Sequence, residues 1–78
     1  MEANVAGAFG AVLKALRNEK KMTQEQLGIE AGVQRKHISL LELGTKAPSL
    51  ATALRLAKAL KVEPGRMVSL VALKIDEI

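Results

Sequence analysis

Residues 22–44, MTQEQLGIEAGVQRKHISLLELG, constrain the architecture more than any other stretch. Thr23, followed three residues later by Gln26, makes a capping box that satisfies N–H groups a helix start leaves orphaned. Gly32 supplies the left-handed conformation that ends such a helix. The helix between them, Gln24 to Ala31, has only about two turns. A second helix follows over 34–43 and closes at Gly44. Helices this short are unstable alone, so each must bury an apolar face against further elements.

The rest of the chain supplies those elements. Val5, Phe9, Val12, Leu13 and Leu16 fall on one face of a 3.6-residue period, which predicts a helix from about Asn4 to Glu19. Lys20 and Lys21 suit its negative end, while Gly7 and Gly10 weaken its first turns. After a loop over 44–48, Ser49 caps a helix over 50–60 with an apolar stripe of Leu50, Ala53, Leu54, Ala57 and Leu60. Glu63 and Pro64 open a fifth helix that reaches about residue 75. Phe9 is the one aromatic residue, and Leu and Ala favour helix over strand. The expected fold is all-α: a single five-helix domain over 1–78, with a helix-turn-helix unit at about 23–43.

Composition narrows the chemistry. With no cysteine and one histidine there is neither a disulfide staple nor a transition-metal site, and no cofactor is expected. The acids are scattered and no glycine-rich loop follows a strand, so the chain does not read as an enzyme. No small-molecule effector is evident. No apolar run spans a membrane and no signal peptide opens the chain, so the expected location is cytoplasmic, without a membrane partner. Twelve Lys and Arg against eight Asp and Glu give +4 and a pI near 9.8, a balance suited to a polyanion.

Two short helices joined by a tight glycine turn have a known use on double-stranded DNA: the second lies in the major groove with its first residues at base edges. Gln34, Arg35, Lys36 and His37 open that second helix here. The segment MTQEQLGIEAGVQRKHISLLELG, with PSLATALRLAKAL after it, resembles the phage-repressor/Cro-type helix-turn-helix proteins, the xenobiotic-response-element family. The spacing of Leu27, Ala31-Gly32-Val33, Ile38-Ser39, Glu42, Gly44 and Pro48-Ser49-Leu50 carries that likeness over about two thirds of the chain. Its short members include restriction-modification controllers, phage switches and antitoxins.

The resemblance implies roles for particular residues. Gln24 matches a glutamine that bonds a phosphate and supports the recognition helix. Gln34, Arg35, Lys36 and, one turn on, Ser39 match base-reading positions. Thr45 and Lys46 match a loop that clasps a phosphate, and Arg17 with Glu42 matches a partly buried ion pair. His37, at the edge of the core face, is read as packed or phosphate-facing. Physics favours Arg35 for base reading, since arginine reaches guanine O6 and N7 together.

Some residues depart from the pattern. Gly28 stands where alanine is usual, on the face of helix two that meets helix three. Leu40 and Leu43 lie on the outer face, where Leu40 suits either a thymine methyl or a protein partner. Ile29 is apolar on a wet face and has no explanation. Of the fifth helix, Met67, Val68 and Val71 are expected to pack inward, leaving Leu70, Leu73 and Ile75 as a dimer interface. The expected function is a homodimeric, sequence-specific transcription regulator on a pseudo-palindromic operator. The alternative is a protein-binding module such as an antitoxin or adaptor.

Overall fold

Side-chain caps set where the helices begin. In the computed structural model, which describes residues 4–77, the Asn4 side chain accepts from the Gly7 amide at 2.9 Å and opens α1, Val5–Glu19. Thr23 and Gln26 exchange the two bonds of the expected capping box, at 3.0 and 2.8 Å, and open α2, Gln24–Ala31. Gln34 precedes α3, Arg35–Glu42, without a side-chain cap, and Ser49 caps α4, Leu50–Ala59, through the Thr52 amide at 3.1 Å. α5 runs Pro64–Glu77, two residues beyond the expected end.

Helix ends are closed by left-handed residues. Gly32 ends α2 at φ +69°. Lys21 and Lys61 do the same after α1 and α4 at φ 57° and 58°, a conformation unfavourable for any residue with a Cβ. Each is compensated: the Met22 amide reaches back to the Arg17 carbonyl at 3.1 Å and the Val62 amide to the Ala57 carbonyl at 2.9 Å, satisfying carbonyls the helices leave free. Lys21 at the end of α1 thus serves backbone closure as well as charge.

α1 packs against α3 and α5, α2 against α3 and α4, and α4 against α5. Leu13, Leu27, Ile38, Leu41, Leu56 and Leu60 are completely buried where these helices meet, with Phe9, Leu16 and Met67 closing the core. Two predicted stripes are rotated. In α4, Leu50 and Leu54 are exposed, and Leu56 takes the buried place beside Ala57 and Leu60. α4 carries leucines or alanines almost all round, and docking on both α2 and α5 selects the 53-56-57-60 edge. In α5, Val68 is exposed, while Met67 is buried and Leu70 and Val71 pack against the core. Val5, on the first turn of α1, is also half open to solvent.

Gly7 and Gly10 do not break α1. A Cβ on Gly10 would stand 2.4 Å from the Leu41 carbonyl oxygen and 2.9 Å from that of Glu42, so the side-chain-free backbone of α1 at Gly10 lies directly against the backbone of α3. A Cβ on Gly28 would lie 2.5 Å from the Val33 carbonyl oxygen, so this glycine gives α2 its close approach to the turn.

Candidate nucleic-acid interface

α3 is sharply two-faced. Ile38 and Leu41 are fully buried, while Gln34, Arg35 and Lys36 are exposed and Ser39 and Leu40 half-buried. Arg35, Lys36 and Ser39 join Gln24 of α2 around one open concavity of about 290 Å³. Of the expected base-reading set, Gln34 stands just before the helix, exposed at its N-cap. Beside this concavity, Arg17, Thr23, Gln24, Glu25 and Arg35 line a second, at the positive end of the α2 dipole. The Glu25 carboxylate opposes an anion there, whereas no acid lines the first concavity.

Behind that surface a carboxylate ties three helices together. Arg17 Nε donates to Glu42 Oε2 at 2.6 Å and Nη2 to Oε1 at 3.0 Å, a two-pronged pair. Arg17 Nη1 also donates to the Met22 carbonyl at 2.7 Å. Gln24 Nε2 donates to Glu42 Oε1 at 3.0 Å. The side chains of Arg17 and Glu42 are only 12% and 4% exposed. Burial pushes the Glu42 carboxyl up, but the hydrogen bonds from Arg17 and Gln24, with the charges of Arg17 and Lys14, outweigh it and hold the group below its ordinary value. The Glu42 hydrogen bond likewise raises the Arg17 guanidinium, against the effect of burial. Among the described residues, no buried side-chain nitrogen or oxygen lacks a partner.

Gln24 thus reaches α3 through the Glu42 carboxylate. One amide N–H is engaged by Glu42, and an amide carries a second that can still face an anion. Nothing in the sequence pointed to the Gln24–Glu42 bond, because the two residues belong to different helices and only the fold joins them. Thr45 is exposed but bonded to its own chain: its hydroxyl donates to the Leu40 carbonyl at 3.0 Å and its amide to the same oxygen at 3.3 Å, closing the end of α3. Its single hydroxyl proton is thus occupied, whereas Lys46 is exposed and in no ion pair among the described residues. His37 is half-buried beside the core, its amide bonded to the Gln34 carbonyl at 2.9 Å.

On another side, Val5, Phe9, Leu50, Ala53, Val68 and Val71 line an apolar groove of about 320 Å³ between α1, α4 and α5. Leu73 is exposed, while Leu70 and Ile75 are half-buried, so Leu70 contributes to the core and Val68 to the open surface. Among the described residues no group of His, Asp or Glu side chains could hold a metal, and no helix is long and apolar enough to cross a membrane.

A short capped helix, a glycine turn, and a helix with a buried apolar face and an exposed basic start define a helix-turn-helix domain. The chain belongs to the Cro/C1-type helix-turn-helix family, whose "Helix-turn-helix" profile matches residues 13–66. It is 37% identical over 65 residues to the control protein C.BamHI of Bacillus amyloliquefaciens, a match covering 82% of this chain and 80% of that one. It is 45% identical over 56 residues to the transcriptional repressor RghR of Bacillus subtilis, covering 70% of this chain. The match spans 42% of RghR's length. The crystal structure of the restriction-modification controller protein C.AhdI from Aeromonas hydrophila superposes with a TM-score of 0.76 at 35% identity, covering 80% of this chain and 94% of that one.

Proposed function

We propose that the protein is a sequence-specific DNA-binding transcription regulator that lays α3 in the major groove and acts in the cytoplasm. The observation that carries this reading is the gathering of Arg35, Lys36, Ser39 and Gln24 around one open concavity, opposite the buried Ile38 and Leu41. Arg35, Lys36, Gln34 and Ser39 address base edges. Lys46, the free N–H of Gln24 and the neighbouring His37 address phosphate. Thr45 can donate to phosphate only by turning its hydroxyl from the Leu40 carbonyl. The likeness to a repressor and to restriction-modification control proteins supports the same reading. No catalytic step and no small-molecule effector is assigned to this surface.

Selection of bound duplexes from a random pool at physiological salt tests it. An inverted repeat with half-sites about 34–36 Å apart is the expected winner, with log affinity falling steeply against log salt. Failure to enrich any sequence overturns the reading. Tight, salt-insensitive binding of a protein through the exposed Leu43 and Ile29 would favour an antitoxin or adaptor instead. On the selected operator, Arg35→Ala should relax preference at one position per half-site, a loss of about 1–3 kcal/mol of discrimination. Lys46→Ala should weaken all sequences alike and lower the salt slope by about one. Equal losses on every sequence from both variants would show that Arg35 touches only phosphate.

A two-fold homodimer supplies the inverted repeat. We assign its contact to the apolar surface of α5 and its groove, with Val68, Leu73 and Leu50 exposed and Leu70 and Ile75 at the margin. Val68→Glu, on an exposed position that the core does not need, should leave helicity intact and shift the protein to monomer by sedimentation. An unchanged dimer would move the contact elsewhere.

A further inference from the structure

One residue on the outward face of α3 plays no part in the polar contacts above. Leu43, the C-cap, keeps helical backbone angles of φ −75° and ψ −11° and is 71% exposed. At about 100° per residue, Arg35, Ser39, Leu43 and Lys36 follow one another across a single arc of about 100°. Ile38 and Leu41 are buried on the opposite side, and Leu40 lies on the rim beyond Lys36, half-buried. Of the two outer leucines, Leu43 stands inside the polar stripe and Leu40 at its border. Gly44, Thr45 and Lys46 follow Leu43 directly, so it lies between the base-reading residues and the loop assigned to the phosphate backbone.

A leucine offers neither donor nor acceptor. In the major groove one base feature suits it, the C5-methyl group of thymine. We propose that Leu43 is a specificity-determining residue that packs on the C5-methyl group of one pyrimidine in each half-site. It thereby selects thymine, or 5-methylcytosine with the same methyl, over uracil or unmodified cytosine. This rests on α3 lying in the major groove as proposed above. Arg35 and Leu43 are about 12 Å apart along the helix, farther than one base step of about 3.4 Å. The methyl therefore belongs to a different base pair from the one that Arg35 reads.

Uracil in place of thymine removes that methyl and nothing else. With the selected operator, each thymine of one half-site is replaced singly by uracil, and affinities are measured for the wild-type protein and Leu43→Ala. One position should weaken wild-type binding about fourfold, equivalent to one buried methyl at ~0.8 kcal/mol. Leu43→Ala should bind the thymine and uracil operators equally. At the same position, 5-methylcytosine should bind the wild type about fourfold tighter than cytosine, a difference also absent in the variant. A thymine–uracil difference without the cytosine pair supports the contact and identifies thymine as its source. Leu43 is outside the core, so melting of the variant should match the wild type. If no uracil effect depends on Leu43 while Arg35 still governs base preference, the inference is overturned and operator binding stands. If no operator is selected at all, both fall together.

Discussion

Glu42→Ala should destabilise the fold by about 3–5 kcal/mol, because it strands the Arg17 guanidinium in a site that is 12% exposed. A domain of this size has total stability of roughly 4–12 kcal/mol, so the loss is a large fraction of it. Thermal melting should fall by more than about 10 °C. The companion variant, Arg17→Met with Glu42→Leu, removes both charges and should recover most of the loss, since an apolar pair of similar volume often replaces a buried ion pair without penalty. If the double variant is as unstable as Glu42→Ala, the stability lies in the bonds to Met22 and Gln24 and the packing around these side chains, and not in the stranded charge. The pair also sets a pH dependence. The folded-state pKa of Glu42 lies below its ordinary 4.5. Its contribution is therefore whole above about pH 4.5 and is lost as pH falls through the folded value. Denaturation of the wild type below that point should steepen relative to the double variant. Parallel curves would show that Glu42 carries no proton-linked stability.

Gly10→Ala should also destabilise, against the rule that alanine outperforms glycine in a helix. Propensity alone predicts a gain of up to about 1 kcal/mol. The added methyl would meet the Leu41 and Glu42 carbonyl oxygens at 2.4 and 2.9 Å, and backbone oxygens cannot rotate away. Overpacking of this kind typically costs about 1–3 kcal/mol. α3 must shift from α1 to admit it, so operator affinity should fall with stability. Gly65 is the internal control. A Cβ there meets nothing within 4 Å on the first turn of α5, and Gly65→Ala should stabilise by about 0.4–1 kcal/mol. Chemical denaturation of the two variants separates the effects by sign. Two stabilising results would mean that α1 and α3 are not held at this distance in solution.

Much of the helix-turn-helix unit was legible because its signals are local. Thr23, Gln26 and Gly32 encode the ends of α2 within a few residues, and the observed bounds match. The pairing of Arg17 with Glu42 came through family resemblance and not from spacing, since twenty-five residues separate them. Gln24's bond to Glu42 had no local signal. The α4 stripe went astray for a different reason. Leu50, Leu54, Leu56 and Leu60 satisfy more than one helical face, and only docking on α2 and α5 decides between them. Gly10 shows the same limit, since a glycine inside a helical pattern reads as weakness until the facing backbone is known.

The division of α3 into two faces has a consequence for how such a protein can change. Ile38, Leu41 and Glu42 hold the helix in place, whereas Gln34, Arg35, Lys36 and Leu43 are exposed and take no part in the core. Substitutions on the outer set leave the scaffold untouched, so if that set reads DNA as proposed, new sequence preferences are reachable one residue at a time through stable intermediates. Duplicated copies of such a chain could drift to separate targets while folding identically.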